Sequence, residues 1–209
     1  MPSSAHPLLE ARHVSKAFPG VRALDDVSVA VHAGEVHVLL GQNGAGKSTL
    51  IKALYGAYHP DEGEFLFDGA PVRLGSPADA RRLGIAVMFQ EFSLVPYLSV
   101  AHNIFLGRES RGRLPGTIDR RRMNADASRG LETLGAGIDP RTPVHRLGVA
   151  QQQMVEIAKA LSQHARILVM DEPTAALSDP EIQRLFAIIR TLKDDGVAIV
   201  YISHRLHEI

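Results

Sequence analysis

The stretch that most constrains the fold of this chain is Gly41–Thr49, which reads GQNGAGKST and matches G-x-x-x-x-G-K-[ST]. Glycines let the backbone turn tightly, so that successive N–H groups can point at phosphate oxygens. Lys47 would reach the β- and γ-phosphates as a point charge, and the Ser48 hydroxyl is an oxygen ligand of the kind that Mg²⁺ prefers. The predicted nucleotide-binding residues of this loop are Gly41, Gln42, Asn43, Gly44, Ala45, Gly46, Lys47, Ser48 and Thr49.

The sequence on either side of the loop favours the same interpretation. Residues 35–40 read as a short buried strand, and residues 48–55 read as the first turns of a helix, whose N-terminus favours an anion. The alternative is a glycine-rich turn that matches the pattern by chance. The strand before the loop and the helix after it favour a phosphate-binding loop.

Length and composition limit the class of protein. The chain has 209 residues, enough for one large α/β domain or for a domain with a sizeable insert. Lys plus Arg and Asp plus Glu number 23 each, and this zero balance argues against a dedicated nucleic-acid binder. The absence of cysteine excludes disulfides and thiolate metal sites and favours a reducing cytosol.

The N-terminal residues 1–7 lack both the basic and the long apolar regions of a signal peptide. No run of about 18 apolar residues occurs, so we expect no segment that spans a membrane.

Hydrophobic patterning divides the chain into three parts. The first is β-rich, with predicted strands at 8–14, 23–31 and 63–69, a hairpin partner at 71–74 and a turn at 15–20. Apolar runs at 84–89, 166–170 and 197–202 predict buried core strands, and 180–193 predicts an amphipathic helix. Residues from about 91 to 163 are typical of helices and loops. We therefore predict an α/β fold with an inserted α-helical subdomain.

A pair of carboxylates, Asp171 and Glu172, closes one apolar run 124 positions after Lys47. This is the Walker B pattern, in which Asp171 would hold Mg²⁺ and Glu172 would act as general base on the attacking water. Ligands of α/β sheets bind at the C-terminal edge of the strands, where these residues are expected. An acidic boundary between strand and loop is the alternative, and the phosphate-binding loop makes it a minor one.

Three further residues are candidates with open alternatives. Gln90 ends a predicted strand, where its amide can contact Mg²⁺ and water, although a residue there is usually only solvated. His204 also ends a strand and could donate a hydrogen bond to the γ-phosphate, whereas most histidines lie on the surface. Phe18 precedes a Pro-Gly turn and could stack on a purine or belong to the core.

In their order along the chain, these motifs resemble the nucleotide-binding domain of an ATP-binding cassette (ABC) transporter. The resemblance implies a P-loop NTPase core with a mixed sheet, an N-terminal antiparallel β subdomain and an inserted helical subdomain. It implies that Gln90 is the Q-loop residue, that Ala176–Asp179 is the D-loop and that His204 is the switch histidine. It also places Phe18 at the adenine-stacking position. The implied domain spans residues 8–209, with its helical part at about 91–163.

The sixth family motif, the signature L-S-G-G-Q, is altered here to Leu147, Gly148, Val149, Ala150 and Gln151. Gly148 replaces the serine that contacts the γ-phosphate of the nucleotide on the partner domain. Val149 and Ala150 replace glycines that permit a close backbone approach. The motif still opens a helix, whose dipole can face a phosphate. We expect this signature to support the opposite ATP site less well than a standard one.

The sequence between the motifs resembles that of one subgroup, the importers of simple sugars such as ribose, xylose and galactose. The similar segments are Gln90–Glu109 and Gln152–Lys159, with His102 where the subgroup usually has Glu. The resemblance implies an ATP- and Mg²⁺-dependent ATPase whose chain is a tandem of two cassettes. Its expected partners are a second cassette, membrane permease subunits that contact Glu91–Val100, and indirectly a periplasmic or extracellular sugar-binding protein.

The same resemblance implies a peripheral location on the cytoplasmic face of the membrane. Because a complete cassette continues beyond the switch histidine, we expect this chain to be the first cassette of a tandem, shortened at its C-terminus.

Two other classes of function stay open. One is a non-transport ABC ATPase acting on nucleic acid or the ribosome, which the zero net charge and the sugar-type segments disfavour. The other is a regulatory nucleotide-binding module that hydrolyses little. The altered signature supports this module, and Glu172 opposes it.

Overall fold

The computed structural model describes residues 6–42, 44–112, 114 and 116–204. Its strands are β1 (Leu9–Phe18), β2 (Val21–Val31), β3 (Val36–Leu40), β4 (Glu62–Phe67), β5 (Ala70–Val72), β6 (Ile85–Met88), β7 (Ile167–Asp171) and β8 (Ala198–Ser203). Its helices are α1 (Lys47–Leu54), α2 (Pro77–Arg82), α3 (Val100–Ile104), α4 (Arg120–Thr133), α5 (Val149–Leu161) and α6 (Asp179–Asp194), with a 3₁₀ turn at Val144–Arg146.

The strands form two sheets of four. One is antiparallel, in the order β2-β1-β4-β5, and the other is parallel, in the order β3-β8-β7-β6. Strands β7 and β8 are almost completely buried, as expected of parallel strands covered on both faces. The predicted α/β class with an N-terminal antiparallel part is confirmed. Parallel and antiparallel strands are both present, but each direction is confined to its own sheet.

The chain divides into two compact units. The core unit comprises Met1–Gln90, Ala165–Pro173 and Leu185–Ile209, and within its described residues it holds both sheets and α1. The helical unit comprises Glu91–His164 and Thr174–Arg184, and it holds α3, α4 and α5.

An apolar cluster in the core unit joins α1 to residues of both sheets. Ile51 of α1, Val14 of β1 and Ile167 of β7 are completely buried in it. At the edge of this unit the guanidinium of Arg166 donates two hydrogen bonds, of 2.8 and 3.1 Å, to the Asp68 carboxylate. The phosphate-binding loop is therefore anchored between elements that the hydrophobic core fixes.

The prediction of a turn over residues 15–20 is wrong. Strand β1 continues to Phe18, and only Pro19 and Gly20 form the turn, after which β2 begins at Val21. Two interactions keep the strand extended. Phe18 pairs with Val21 across the hairpin, and the Asp61 carboxylate accepts a hydrogen bond of 2.8 Å from the Ala17 N–H. Asp61 lies 44 positions from Ala17 in sequence, so no local pattern reveals this contact.

The basic run at residues 120–122 begins α4. Asp119 precedes the helix, and its carboxylate accepts a hydrogen bond of 2.9 Å from the Arg122 N–H, which is an N-cap. Within the described part of the chain, no helix has the length and apolar character needed to cross a membrane.

Candidate functional site

The glycine-rich loop leaves the end of β3 and enters α1 through a left-handed glycine. Gly46, the N-cap of α1, has φ of 86°. A Cβ atom at this position would lie 2.4 Å from the carbonyl oxygen of Ala23 in β2, so only glycine fits without displacing backbone. Gly44 also has φ of 86°, with open space around it. The loop is thus set by backbone geometry that its glycines permit. Asn43 lies outside the described residues.

The ammonium group of Lys47 folds over this loop. Its Nζ atom donates to the carbonyl oxygen of Gly41 and, over 2.9 Å, to that of Gln42. The Ala45 N–H donates to the Gln42 carbonyl at 3.2 Å, which closes the turn. The positive charge is therefore held where phosphate oxygens would meet the loop N–H groups.

A cavity of about 370 Å³ lies over the loop, within the range of small-molecule sites. Nine predicted site residues lie together in its lining, which consists of Val21, Ala23, Gly44, Ala45, Gly46, Lys47, Ser48, Thr49, Gln90, Asp171 and Glu172.

Two lining residues, Val21 and Ala23, were missed by the sequence reasoning. They belong to β2, and no motif marks them. The hairpin register that pairs Val21 with Phe18 brings the start of β2 to the loop.

The carboxylates stand at the C-terminal end of β7. Burial raises the pKa of Asp171, the neighbouring Glu172 raises it further, and Lys47 and Lys52 oppose the shift. The half-buried Asp171 thus carries a carboxylate that would be stabilised by an added cation.

Glu172 has a left-handed backbone, with φ of 49°, and its N–H donates to the Ile202 carbonyl of β8 over 3.0 Å. This hydrogen bond fixes where the chain turns out of the sheet.

His204, which follows β8, meets Glu172 directly. Its Nδ1 atom lies 2.9 Å from Oε1 of Glu172, and its side chain is about half exposed whereas that of Glu172 is mostly buried. The sequence assigned each residue a separate role and did not predict the pair. If Nδ1–H donates to the carboxylate, the neutral ring has only an acceptor at Nε2, and donation from both nitrogens requires the imidazolium.

Phe18 is half-buried beside this site. Its ring meets that of Tyr58 edge-on with centroids 5.3 Å apart, and the Lys16 ammonium lies 5.8 Å from the Phe18 centroid. Phe18 is absent from the cavity lining, although its partner Val21 is part of it. The structure therefore places the ring next to the site, packed against another aromatic residue.

The signature residues belong to the helical unit. Gly148 is the N-cap of α5, so the predicted helix start is present at Val149. The Gly148 N–H donates to Oε1 of Gln151 over 3.2 Å, which supplies half of a capping box. Leu147 donates its N–H to the Val144 carbonyl in the preceding 3₁₀ turn.

The D-loop residue Ser178 also lies in the helical unit. Its N–H and hydroxyl donate to Oε2 of Glu181 over 2.8 and 2.7 Å.

A family model described as ABC transporter matches residues 24–175, which include the glycine-rich loop, Gln90, the altered signature and both carboxylates. The chain belongs to the ABC transporter family. This match covers more than half of the chain.

Relatives of this ABC transporter chain are named as importers. A "Ribose import ATP-binding protein RbsA 1" from Rubrobacter xylanophilus is 60% identical over 97% of this chain and 40% of its own length. A protein of the same name from Streptomyces avermitilis is 57% identical over 99% of this chain and 39% of its own. A "Putative ribose/galactose/methyl galactoside import ATP-binding protein 2" from Burkholderia cenocepacia is 53% identical, over 100% and 41%. The chain thus spans about two-fifths of the length of these relatives.

Solved structures show the same fold. A nucleotide-free ATP-binding cassette from an ABC transporter has a TM-score of 0.85 and 30% identity, over 96% of this chain and 83% of that one. The ADP conformation of another ABC transporter cassette also has a TM-score of 0.85, with 29% identity, over 97% and 83%. The predicted P-loop NTPase fold of an ABC cassette is thereby confirmed.

The donor set of the cavity fits Mg²⁺. Ser48, Gln90 and Asp171 offer hydroxyl, amide and carboxylate oxygens to one space, and Mg²⁺ takes one or two carboxylates together with substrate phosphates. In the described residues no group of three or more His, Cys, Asp or Glu side chains forms a metal cluster. A cage made wholly of protein ligands is not what Mg²⁺ requires.

Replacing Asp171 by Asn should stabilise the nucleotide-free protein and abolish its response to Mg²⁺. Because the pKa of Asp171 is raised in the folded state, the stability gained from its protonation at low pH is lost as the pH rises through that pKa. At pH 7.5 the substitution therefore raises Tm, and the gain shrinks towards acid pH. Thermal unfolding across pH, with titration of a fluorescent ATP analogue with and without Mg²⁺, measures both effects.

Asp61→Asn is the matched control, with the opposite sign. The Ala17 N–H and then Lys16 lower the pKa of Asp61, so its removal should lower Tm at pH 7.5. A lower Tm for Asp171→Asn would contradict the raised pKa of Asp171. If Mg²⁺ increased the affinity of the variant for the ATP analogue as much as it does for wild type, Asp171 would not be a Mg²⁺ ligand.

Proposed function

We propose that this chain binds ATP in the cavity over residues 41–49 and hydrolyses it as part of a transporter. The observation that carries the proposal is the convergence of Lys47, Asp171 and Glu172 on one cavity of about 370 Å³. The printed names of the relatives, which call them ATP-binding import proteins, support it. A loop lysine on the phosphates, a carboxylate that holds Mg²⁺ and a residue that orients the attacking water are recurring parts of phosphoryl transfer at such loops.

Each site residue has a proposed role. Lys47 and the N–H groups of residues 41–49 bind phosphate, and Ser48, Gln90 and Asp171 hold Mg²⁺, which neutralises phosphate charge when bound. Glu172 takes the proton of the attacking water, and His204 contacts the γ-phosphate. Phe18 stacks on adenine.

The pair of His204 and Glu172 gives these two roles a physical link. The hydrogen bond of 2.9 Å orients the carboxylate that receives the proton. An imidazolium at His204 can hold this carboxylate through Nδ1 and still donate from Nε2 to a phosphate oxygen. The histidine thereby aligns the base while it contacts the phosphoryl group that water attacks.

We further propose that residues 8–209 form one cassette, with a helical subdomain at about 91–163, and that this cassette is the first of a tandem. The support is the share of the relatives' length that the chain covers, about two-fifths. The transported solute would be a simple sugar, since the relatives are named for import of ribose or galactosides. A second cassette in the same full-length chain, and a periplasmic or extracellular sugar-binding protein, complete the proposed assembly.

The proposed contact with the membrane permease is Glu91–Val100, on the cytoplasmic face of the membrane. This segment exposes three large apolar side chains, those of Phe92, Val95 and Tyr97, and Tyr97 is 83% exposed. Large apolar side chains exposed this close together in sequence support a surface that receives a partner. No nucleic acid is expected as a partner, since the net charge is zero.

In this assembly the signature Leu147–Gln151 faces the ATP site of the partner cassette. Its N-cap, Gly148, brings no hydroxyl to that site. Gly148 has an extended backbone, with φ of −67° and ψ of 163°, and a Cβ built there meets nothing within 4 Å. Serine is therefore accommodated without strain, and the altered signature lowers turnover at the partner's site.

Gly148→Ser should raise the ATPase rate of the complete transporter by roughly two- to tenfold, the worth of one added hydrogen bond in the transition state. Gly130→Ser on α4 is the control, because a Cβ there also meets nothing within 4 Å. Steady-state ATPase assays of both variants measure the effect. Equal rates for Gly148→Ser and Gly130→Ser would count against a role for the missing hydroxyl.

The purified chain should bind ATP and turn it over slowly, because its site needs a signature from a second cassette. The specific ATPase rate should rise with the concentration of the chain, as expected when two copies must meet. Measuring this rate over about a hundredfold range of concentration tests the proposal. Fast turnover that does not depend on concentration would overturn it.

A further inference from the structure

Helix α5 of the helical unit carries a carboxylate on its buried side. Glu156 is only 6% exposed and lies among buried apolar residues of the same helix, including Val155 and Ile157. A buried charge is costly unless it is paired and hydrogen-bonded, so its partners show what it does. None of the catalytic roles proposed above uses Glu156.

The partner of Glu156 is Ser93, which is 63 residues away in sequence. The Ser93 N–H and its hydroxyl both donate to Oε1 of Glu156, over 2.8 and 2.9 Å. The same hydroxyl accepts a hydrogen bond of 2.8 Å from Nζ of Lys159, one turn further along α5. One serine is therefore fixed by its backbone and its side chain to a carboxylate and an ammonium of the same helix.

A second buried residue holds the part of the segment Glu91–Val100 that follows Ser93. Asn103 of α3 is completely buried, and its amide oxygen accepts a hydrogen bond of 2.7 Å from the Val95 N–H. Its amide nitrogen donates to three carbonyl groups, those of Val95, Leu98 and Ser99. The irregular backbone of this segment is thus held by buried side chains within the helical unit.

The same segment is also bonded to the residues that precede the signature. The His145 N–H donates to the Pro96 carbonyl over 2.9 Å, and the Val144 N–H donates to the Leu98 carbonyl over 3.1 Å. The rings of Tyr97 and His145 lie 5.3 Å apart. The segment therefore contacts the chain on both sides of the signature, before it at 144–145 and after it at Glu156.

We propose that Glu156 is a positioning residue that locks Ser93, and with it the segment Glu91–Val95, to the helix that the signature opens. A displacement of this segment by a docked permease then moves the signature with it, because one continuous helix joins Val149 to Glu156, with six residues between them. The inference rests on the proposed function, in which the permease docks at Glu91–Val100. Lys159 strengthens this attachment, since its ammonium group polarises the Ser93 hydroxyl, which donates to the Glu156 carboxylate.

A role in folding alone is the competing explanation, and it predicts different results. A carboxylate that only stabilises the helical unit would, when removed, lower ATPase and transport together. A carboxylate that couples the segment to the signature would lower the permease-dependent part and leave the permease-independent part nearly unchanged.

The chain offers a matched control pair. Ser128 and Glu132 of α4 form an exposed hydrogen bond of 3.3 Å between the same two residue types. Glu132→Ala therefore removes a Ser–Glu hydrogen bond from the helical unit without touching the segment Glu91–Val95. Comparison with Glu156→Ala isolates the effect of the buried pair.

Hydrogen exchange on the 209-residue chain tests whether Glu156 holds Ser93 in place. Glu156→Ala should speed exchange of the peptide that contains Ser93 by at least about tenfold, because its N–H loses a charged acceptor. Peptides of the core unit, such as those of α1, should not change. Protection of Ser93 that equals wild type, or a general loss of protection in both units, would overturn the inference.

Coupling is tested in the complete transporter, reconstituted with its permease and supplied with radiolabelled ribose. Glu156→Ala should leave permease-independent ATPase within about twofold of wild type and lower the permease-stimulated rate and ribose uptake by about fivefold or more. Glu156→Gln, which keeps an oxygen acceptor, should lie between the two. Glu132→Ala should match wild type.

Two results in this assay would count against different claims. Equal coupling in wild type and Glu156→Ala, or a parallel loss of both ATPase rates, would overturn the role of Glu156. A wild-type transporter with no permease-dependent ATPase would overturn the proposed function and the coupling role with it, and the exchange experiment would still decide whether Glu156 locks Ser93.

Discussion

The site depends on one constraint, the shared C-terminal edge of the parallel strands. In the register of this sheet Leu40 pairs with Ser203, and Asp171 pairs with Ile202. The glycine-rich loop after β3, the carboxylates at the end of β7 and the histidine after β8 must therefore emerge side by side, although more than 160 residues separate the first from the last. Backbone pairing and the burial of the apolar strands therefore bring the functional residues to one edge of the sheet.

Two residues at this edge of the sheet have locally unfavourable conformations or electrostatics. Asp171 is a half-buried carboxylate with a raised pKa beside a second carboxylate, and Glu172 has a left-handed backbone, which is uncommon for a non-glycine residue. Both features cost free energy in the nucleotide-free protein and place negative charge next to Lys47. Such local cost at a site, compensated by the packing around it, is typical of functional residues.

The sequence predicted the parts of this site that a motif or a periodic pattern encodes. The loop, the two carboxylates and His204 each follow an apolar strand, and this local pattern was enough to place them. Val21, the continuation of β1 to Phe18 and the pair of His204 with Glu172 were not predicted, since each depends on register or on a partner distant in sequence. Glu156 reads as one polar position of an amphipathic helix, and only the fold shows that it is buried against Ser93.

The central claim is that Glu172 is the base of an ATP site whose phosphate-binding parts are intact. Its most direct test is single-turnover hydrolysis of ATP by the complete transporter carrying Glu172→Gln. The account predicts that ATP still binds within a few-fold of wild-type affinity and that the chemical step slows by about 10²- to 10⁴-fold, the usual worth of a positioned general base. Hydrolysis within about tenfold of the wild-type rate would contradict it.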